Sequence, residues 1–549
     1  MRHYLPASLP LTSSPIITLL KSCKTRRCFE QIHVHIIQKG LENDNYLISS
    51  FISRCTISFS LLRYATSVFY SVSYPNTCLW NSLLKGHCSY SSLISSLSVF
   101  SAMRVSYGAP DMYTFPPLIK CCSNELAVSA GLGIHGLLIK YAVEDDVFVG
   151  TTLVDFYGKC ELIGNARKVF DEMSVRNVVS WTAIVVGYVR FGDLVNARIM
   201  FDAMPKRNQV SYNAMICGYA KLGELVSART LFDQLPNKNV VSYTTMIDGY
   251  AKCGDMASAR FLFEECLEKD LVLWSALITG YAQNGLPNDA VKSFQEMLLS
   301  NTSPDEYIMV SVMSACAQIG SLDLANEVDA YMSRSFLYLH HTHVVAALVD
   351  MNAKCGRMER AMSLFSNIPK RDLVSYCSMI QGFAIHGQGV DAVKLFYNML
   401  SEGIMPDAVA FTVILTACSR CALVEEGYRF FDMMSRYSIT PSSDHYACMI
   451  DLLGRSGNLE AAYHLLKSLP VEAHAEAWGA LLGASRLHCN TELAEVVANR
   501  LVELEPHNAG NFVLLSNIYA AADRWLDVSI VRNQMVGQGL RKIPGRSWC

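Results

Sequence analysis

No stretch of the sequence runs eighteen apolar residues in a row, which excludes a membrane-spanning helix and a membrane partner of that kind. Charge is scarce: 17% of residues are charged and the formal net charge is −3, so no overall positive excess announces a nucleic-acid partner. No Gly-rich phosphate loop ending in GK[ST] and no G-x-S-x-G nucleophile elbow is present. Two further motifs occur in letters only. His474-x-Glu476 and Cys418-x-x-Cys421 spell the halves of a zinc deaminase signature, but the cysteine pair stands upstream of the histidine and in a different repeat. Gly131-x-Gly133-x-x-Gly136 spells a dinucleotide fingerprint, yet no strand precedes it. Nothing therefore points to an enzyme, and no cofactor and no metal site are expected. The 19 cysteines lack the spacing of a secreted disulfide framework. They read as reduced, buried thiols, many on apolar helix faces, such as Cys217, Cys253 and Cys316. The first 29 residues lack any acidic residue and carry Arg2, Lys21, Lys24, Arg26 and Arg27 among serines and threonines. That pattern resembles an organellar transit sequence, with residues 1–12 the expected segment.

What the sequence does contain is a repeat. Segments starting at Val178, Gln209, Val240 and Leu271 share one pattern, so the period there is 31 residues. A repeat of this length means a stacked array of small units, which lets 549 residues fold without one oversized core. Each repeat predicts two helices. In the third of these, Tyr243, Met246, Ile247 and Tyr250 stand at i, i+3, i+4 and i+7. Ser242 is the expected cap before them, Gly254 the stop, Asp255 the cap of a second helix, and Met256, Ala259 and Phe263 its apolar stripe.

A partial repeat covers about residues 13–44. Others start at Asn45, Thr77, Met112, Val147, Val178, Gln209, Val240, Leu271, Glu306, Thr342, Leu373, Ala408 and Ser443, most of them 31 or 35 residues long. Three anchors hold the register. The fifteenth residue is Gly192, Gly223, Gly254, Gly285, Gly320, Gly356, Gly387 or Gly457. The twentieth is alanine in nine repeats, from Ala166 to Ala462, small enough for the two helices to approach closely. The twenty-fourth is phenylalanine in nine, from Phe100 to Phe431, placed to fill the gap to the next repeat. The fold class is all-α, a right-handed α-solenoid of helix-turn-helix repeats.

Three register positions suggest a ligand. The thirteenth residue is Lys159, Arg190, Lys221, Lys252, Lys354 and Arg455, a basic stripe at one height that can track a phosphate backbone. A basic residue also suits the end of a solvated helix, so that reading stays open. The fifth residue is Ser49, Asn81, Thr151, Thr182, Asn213, Thr244 and Ser275, each able to hydrogen-bond a base edge from within the first helix. The last residue is Asn76, Asp111, Asn177, Asn208, Asn239, Asp270 and Asp305, for which capping and turn chemistry is the other reading. His33 and His135 occupy equivalent places and read as packing or groove-rim residues.

The phrases WNSLLKG, TFPPLIKCC, LVDFYGKC and SYNAMICGYAKLG resemble the pentatricopeptide repeat family of plant organelles, and the mixed lengths resemble its subclass of P, L and S motifs. The resemblance covers about 14 repeats over residues 13–473. Residues 474–549 resemble the family's E domain, two tetratricopeptide-like helix pairs. Pro544, Gly545, Ser547 and Trp548 match the phrase that in relatives leads toward a DYW deaminase, which is expected to be lacking here; Arg546 stands where relatives usually have Cys. The resemblance implies sequence-specific binding of a single-stranded organellar transcript, with the fifth and last residues as a two-letter code. It implies that Val179, Val210, Val241, Val272 and Val374 sandwich the bases. By that code the repeats from 147 to 305 read 5′-A-A-C-G-G, with a U two places upstream from Asn81 and Asp111, across the less readable Pro116. Val310, Ala346, Cys377 and Ala447 leave the 3′ half poorly determined. It further implies a site-recognition role in C-to-U RNA editing, with a DYW-type deaminase in trans and multiple organellar RNA editing factor proteins as partners. The mitochondrion is the expected compartment, with the chloroplast as the alternative. Organellar RNA stability, splicing or translation is the alternative function. A protein-binding tetratricopeptide-type scaffold is a further one, against which the mixed period counts.

Overall fold

A computed structural model describes residues 13–106, 108–334, 341–469 and 474–540. The expected transit segment 1–12 and the phrase from Pro544 to Trp548 lie outside the described residues. Among the described residues there are 32 α-helices and no strand. The chain divides into two halves, Met1–Glu268 and Lys269–Cys549. Each half is an all-α solenoid of antiparallel helix pairs, in which the first helix of a repeat lies against its own second helix and against the next first helix.

In the N-terminal half, Val147–Lys159, Val178–Phe191, Gln209–Lys221 and Val240–Lys252 pack in succession. In the C-terminal half the same order runs through Glu306–Ile319, Thr342–Lys354, Leu373–Ile385, Ala408–Arg420, Ser443–Arg455 and Ala475–Leu487. Close approach between first helices uses a glycine the register analysis had not singled out. A Cβ on Gly249 would sit 2.6 Å from the Ala220 methyl, and one on Gly382 at 2.6 Å from that of Ala353. One cluster contains Ile450 and Leu453 together with Leu481, Val497, Leu515 and Val531, residues on both sides of position 474.

Each pair turns where the sequence placed its glycine. Gly192, Gly223 and Gly254 have φ of 87°, 76° and 83°, the left-handed conformation that ends a helix and that a side chain disfavours. Leu126, Glu161 and Ala422 hold the same fifteenth position with φ of 51°, 61° and 53°. Asp193 and Asp255 then cap the second helices, accepting from the Asn196 and Ser258 amides. The first helix of repeat 240 is capped differently from expectation. Asn239 is the cap, its Oδ1 accepting from the Ser242 amide at 3.0 Å, while the Ser242 hydroxyl donates back to that Oδ1 at 2.8 Å. The helix begins at Val240, so Ser242 already lies inside its first turn.

Two repeat lengths have a simple origin. Second helices of 31-residue repeats have 9 or 10 residues, as in Leu194–Ala203 and Met358–Ser366. Those of 35-residue repeats have 13, as in Pro287–Leu299 and Val424–Arg436. The difference is about one helical turn of 3.6 residues. The longer helices then close with a second left-handed residue, Ala142, Asn301, Gly403 or Ser438.

Buried packing follows the anchors. Ala166, Ala197, Ala228 and Ala259 are fully buried, and Phe170, Phe201, Phe232 and Phe263 nearly so. Phe431 is the exception: it is half-buried, and Phe430 beside it fills the core. Three of these phenylalanines meet an aromatic ring of the next repeat edge-on. Phe170 lies 4.8 Å from Trp181, Phe201 5.0 Å from Tyr212 and Phe232 5.2 Å from Tyr243, centroid to centroid. A basic residue covers the other side. Arg176 sits 5.0 Å above Phe170 and also donates to the Phe170 and Asp171 carbonyls, and Arg207 repeats this on Phe201. The cation thus satisfies carbonyls at the end of the second helix while sealing the interface.

The cysteines follow burial rather than one rule. Burial pushes the Cys316, Cys377 and Cys418 thiols up to about 12, so they stay protonated and inert. Cys316 is buried and Cys217 half-buried, but Cys253 is exposed: it follows Lys252, the last helical residue, and has left the apolar face.

Phe232→Ala removes a fully buried ring shared by two repeats and should cost about 3–5 kcal/mol. Hydrogen exchange should show the loss concentrated in residues 209–252; uniform acceleration over the whole chain would contradict nearest-neighbour stacking.

Candidate nucleic-acid interface

The first helix of a repeat presents one narrow stripe outward. At 3.6 residues per turn, its second, fifth, ninth and thirteenth residues fall within an arc of about 80°. At the second position Val179, Val210, Val241, Val272 and Val374 are 58 to 61% exposed. A β-branched residue so exposed in otherwise well-buried helices marks a surface awaiting a partner. Tyr46, Tyr113, Phe148, Tyr307 and Val409 hold the same position and are equally open. These five were missed because the valine pattern, rather than the position, was followed. Register counting alone would have found them.

The last residue of most repeats caps the next first helix. Asn76, Asn177, Asn208 and Asn239 accept from the amides of Leu79, Ser180, Ser211 and Ser242, and Asp270 and Asp305 from Leu273 and Ile308. Asp111 accepts from the Tyr113 and Thr114 amides, ahead of a helix that starts only at Phe115 because Pro116 and Pro117 occupy its first turn. The cap engages one side-chain oxygen and leaves the second polar atom, an amide nitrogen in Asn or an oxygen in Asp, at a fixed place.

Fifth and last residues meet directly in two repeats. Asn81 Nδ2 donates to Asp111 Oδ1 at 2.8 Å, and Thr182 Oγ1, whose hydroxyl donates to the Val178 carbonyl at 2.7 Å, lies 3.4 Å from Asn208 Oδ1. Thr151 Oγ1 and Asn213 Oδ1 are buried without a hydrogen-bond partner in the protein, places that water or a ligand completes. Thr244 donates to the Val240 carbonyl, and Ser275 is half-buried. Thr244 and Asp270 fall in different halves. Ser49 differs: it is buried and bonded to Ser82 Oγ at 2.6 Å, so its hydroxyl serves the contact between repeats.

Local electrostatics modify the basic stripe. Lys159, Lys252, Lys354 and Arg455 each pair with an aspartate four residues earlier: Asp155 at 2.6 Å, Asp248 at 2.5 Å, Asp350 at 2.8 Å and Asp451 at 2.8 Å. That spacing brings the charges together on one helix face and weakens the field a phosphate would meet. Arg190 and Lys221 make no ion pair among the described residues. Neither do Lys85 and Lys120, exposed at the ninth position of repeats 77 and 112 and absent from the thirteenth-position stripe.

The look-alike motifs resolve into packing. Gly131 lies in the helix Val128–Lys140, where a Cβ would come within 2.0 Å of the Phe156 ring. Among the described residues Cys418, Cys421, His474 and Glu476 do not gather. His33 Nδ1 meets Tyr64 OH at 2.5 Å, on a second helix, and His135 Nδ1 meets Tyr157 OH at 2.7 Å, on a first helix; burial holds both imidazoles below their usual pKa.

The chain matches the family description "PPR repeat" at nine places, among them residues 151–178, 179–209, 210–240 and 241–271. It matches "PPR repeat family" over 371–420 and "E motif" over 488–549. It is similar to a pentatricopeptide repeat-containing protein of Arabidopsis thaliana, 58% identical, with 97% of each chain covered. A second Arabidopsis thaliana relative is 46% identical over 96% of this chain and 88% of its own, and DOT4, named chloroplastic, is 38% identical over 94% and 60%. Among solved structures the maize pentatricopeptide repeat protein PPR10 aligns with a TM-score of 0.54 at 16% identity, covering 96% of this chain and 89% of that one. PPR10 in complex with an 18-nt psaJ RNA element aligns with a TM-score of 0.57 at 17% identity, covering 96% and 80%.

Because the last residue caps a helix before it does anything else, Asn208→Ala should lower stability by about 1 kcal/mol. Asn208→Asp, which keeps the capping oxygen, should stay within about 0.3 kcal/mol of the parent. Equal losses for both in thermal unfolding would remove the cap from the account.

Proposed function

The chain belongs to the pentatricopeptide repeat family, and from that premise we propose that it binds single-stranded organellar RNA in a sequence-specific way, one base per repeat. The observation that carries this is the meeting of fifth and last side chains at Asn81/Asp111 and Thr182/Asn208, flanked by exposed apolar residues at the second position. A base entering between Val179 and Val210 gains apolar contact on both faces, which carries no sequence information. Its edge then meets the fifth residue and whichever atom the cap leaves over. Asn there offers an N–H donor and Asp an acceptor at the same place, so a single cap supplies both stability and a choice of base. Thr151 Oγ1 and Asn213 Oδ1 gain the partner they lack. Arg190, Lys221, Lys85 and Lys120 contact phosphates, with the paired cations Lys159, Lys252, Lys354 and Arg455 contributing less.

The proposal extends to C-to-U editing. Support comes from the E-motif match over 488–549 and from an exposed apolar face on the helix Trp525–Gly537, formed by Trp525, Leu526, Ile530 and Val536. That face receives a DYW-type deaminase or a multiple organellar RNA editing factor protein, and the chain itself acts as the site-recognition factor without catalysis. The compartment is the mitochondrion, with the chloroplast as the alternative that DOT4 illustrates.

Selection from a random RNA pool should enrich 5′-A-A-C-G-G across the repeats from 147 to 305. Asn213→Thr combined with Asn239→Asp should move the central C toward G. No preference across these five places would refute the code. Trp525→Glu with Leu526→Glu should leave RNA affinity unchanged and abolish editing of the target in the organelle; editing at the parental level would refute recruitment through this face.

A further inference from the structure

Three ligand-type side chains that RNA reading leaves unused meet in the C-terminal half. Glu306 opens the helix Glu306–Ile319, His341 precedes the helix Thr342–Lys354, and His343 is the second residue of that repeat. Glu306 Oε2 lies 3.4 Å from His341 Nδ1 and 3.6 Å from His343 Nε2, and the three ligand atoms all fall within 4.8 Å of one another. A glutamate in a first helical turn is ordinary, since the helix dipole favours it there. Two further facts are not explained by the dipole. Oε2 is buried and accepts no hydrogen bond, although two imidazoles flank it. Both histidines also replace the residues other repeats use. The last position in most other repeats is an Asn or Asp cap, whereas the His341 side chain caps nothing. The second position in most other repeats is an exposed apolar residue, whereas His343 turns toward Glu306 and lies over Tyr307 at 6.3 Å between ring centroids.

We propose that Glu306, His341 and His343 form a binding site for a divalent transition metal of the zinc class, held by two imidazole nitrogens and one carboxylate oxygen. Metal–ligand bonds of about 2.0 Å put tetrahedral ligands about 3.3 Å apart, close to the two carboxylate–imidazole distances here. The imidazoles are about half exposed, so small side-chain rotations bring the nitrogens together. A donor set of imidazole and carboxylate suits zinc, and suits nickel, copper or cobalt by the same chemistry, whereas magnesium and calcium prefer oxygen alone. Two neutral imidazoles and one carboxylate leave a fourth position for water. The repeat concerned has Val310 at its fifth position, so metal occupies a place where no base is read and ties the start of one first helix to the start of the next.

The test uses the full chain with Co(II) as the spectroscopic probe and Zn(II) as competitor. His341→Asn with His343→Val installs the residues that repeat 178 presents as Asn177 and Val179, so the helices keep a proven capping pattern. The expected result is visible Co(II) absorption without a sulfur charge-transfer band, displaced by Zn(II), and one equivalent fewer bound by the double variant. Glu306→Gln should weaken binding by more than about tenfold, since even a supporting partner of a ligand is worth that much. Equal metal stoichiometry and affinity in parent and double variant would overturn the proposal, as would a thiolate-type spectrum that neither variant alters. If the double variant loses helicity, Glu306→Gln decides alone: unchanged zinc affinity means an acid–imidazole contact and no metal site.

Discussion

The hydrogen bond that one Asn or Asp oxygen accepts from an amide two or three residues on is the interaction on which the rest of this structure depends. It ends most connections, starts most first helices and fixes the rotamer of the side chain that makes it. At Asn208 one residue closes the repeat before it, caps the helix after it and meets Thr182 from the preceding helix. A recognition atom placed by a cap needs no separate support, because losing it would also fray the helix. On the proposed function, capping and base reading share one residue type because the capping oxygen serves the fold and the remaining nitrogen or oxygen turns to a ligand; in Asn239 that nitrogen donates to Gln209 Oε1 at 3.3 Å.

Much of the fold was legible because a repeat averages out local ambiguity. One Gly, Ala or Phe at a given place says little, but Gly192, Gly223 and Gly254 in register required a left-handed turn, and all three adopt it. What escaped the sequence reading was mostly a matter of one side chain choosing between two neighbours. Ser242 and Asn239 can each cap a helix, and only the first helical residue, Val240, decides between them. Cys253 follows an apolar pattern in sequence but falls after the last turn. The basic residues were read as a stripe, while the aspartates four places before Lys159, Lys252, Lys354 and Arg455 lay in plain view and pair with them. Asn81 meeting Asp111 across 30 residues depends on how one repeat sits on the next, which no periodicity reveals.

The net charge of −3 and the paired cations bear on how such a surface selects its ligand. A strongly basic groove holds any polyanion, and sequence then adds little to affinity. Here charge is rationed along the stripe, leaving Arg190 and Lys221 as its free members among the described residues. Apolar second positions and the polar fifth and last positions must then supply a larger share, and only the latter two distinguish bases. Cohesion between repeats rests on the Phe–Tyr or Phe–Trp contacts and the cations above them, so exchanging Asn for Asp at a last position, which keeps the capping oxygen, leaves the stack intact.

The central claim is that each repeat carries one base and that stacking order is reading order. Removing residues 209–239, one complete repeat inside the N-terminal half, tests it most directly. The shortened protein should prefer an RNA from which the single corresponding nucleotide has been deleted, 5′-A-A-G-G in place of 5′-A-A-C-G-G, and should bind the parental RNA less well. Unchanged preference for the parental sequence by a shortened protein that keeps its helicity would contradict the account.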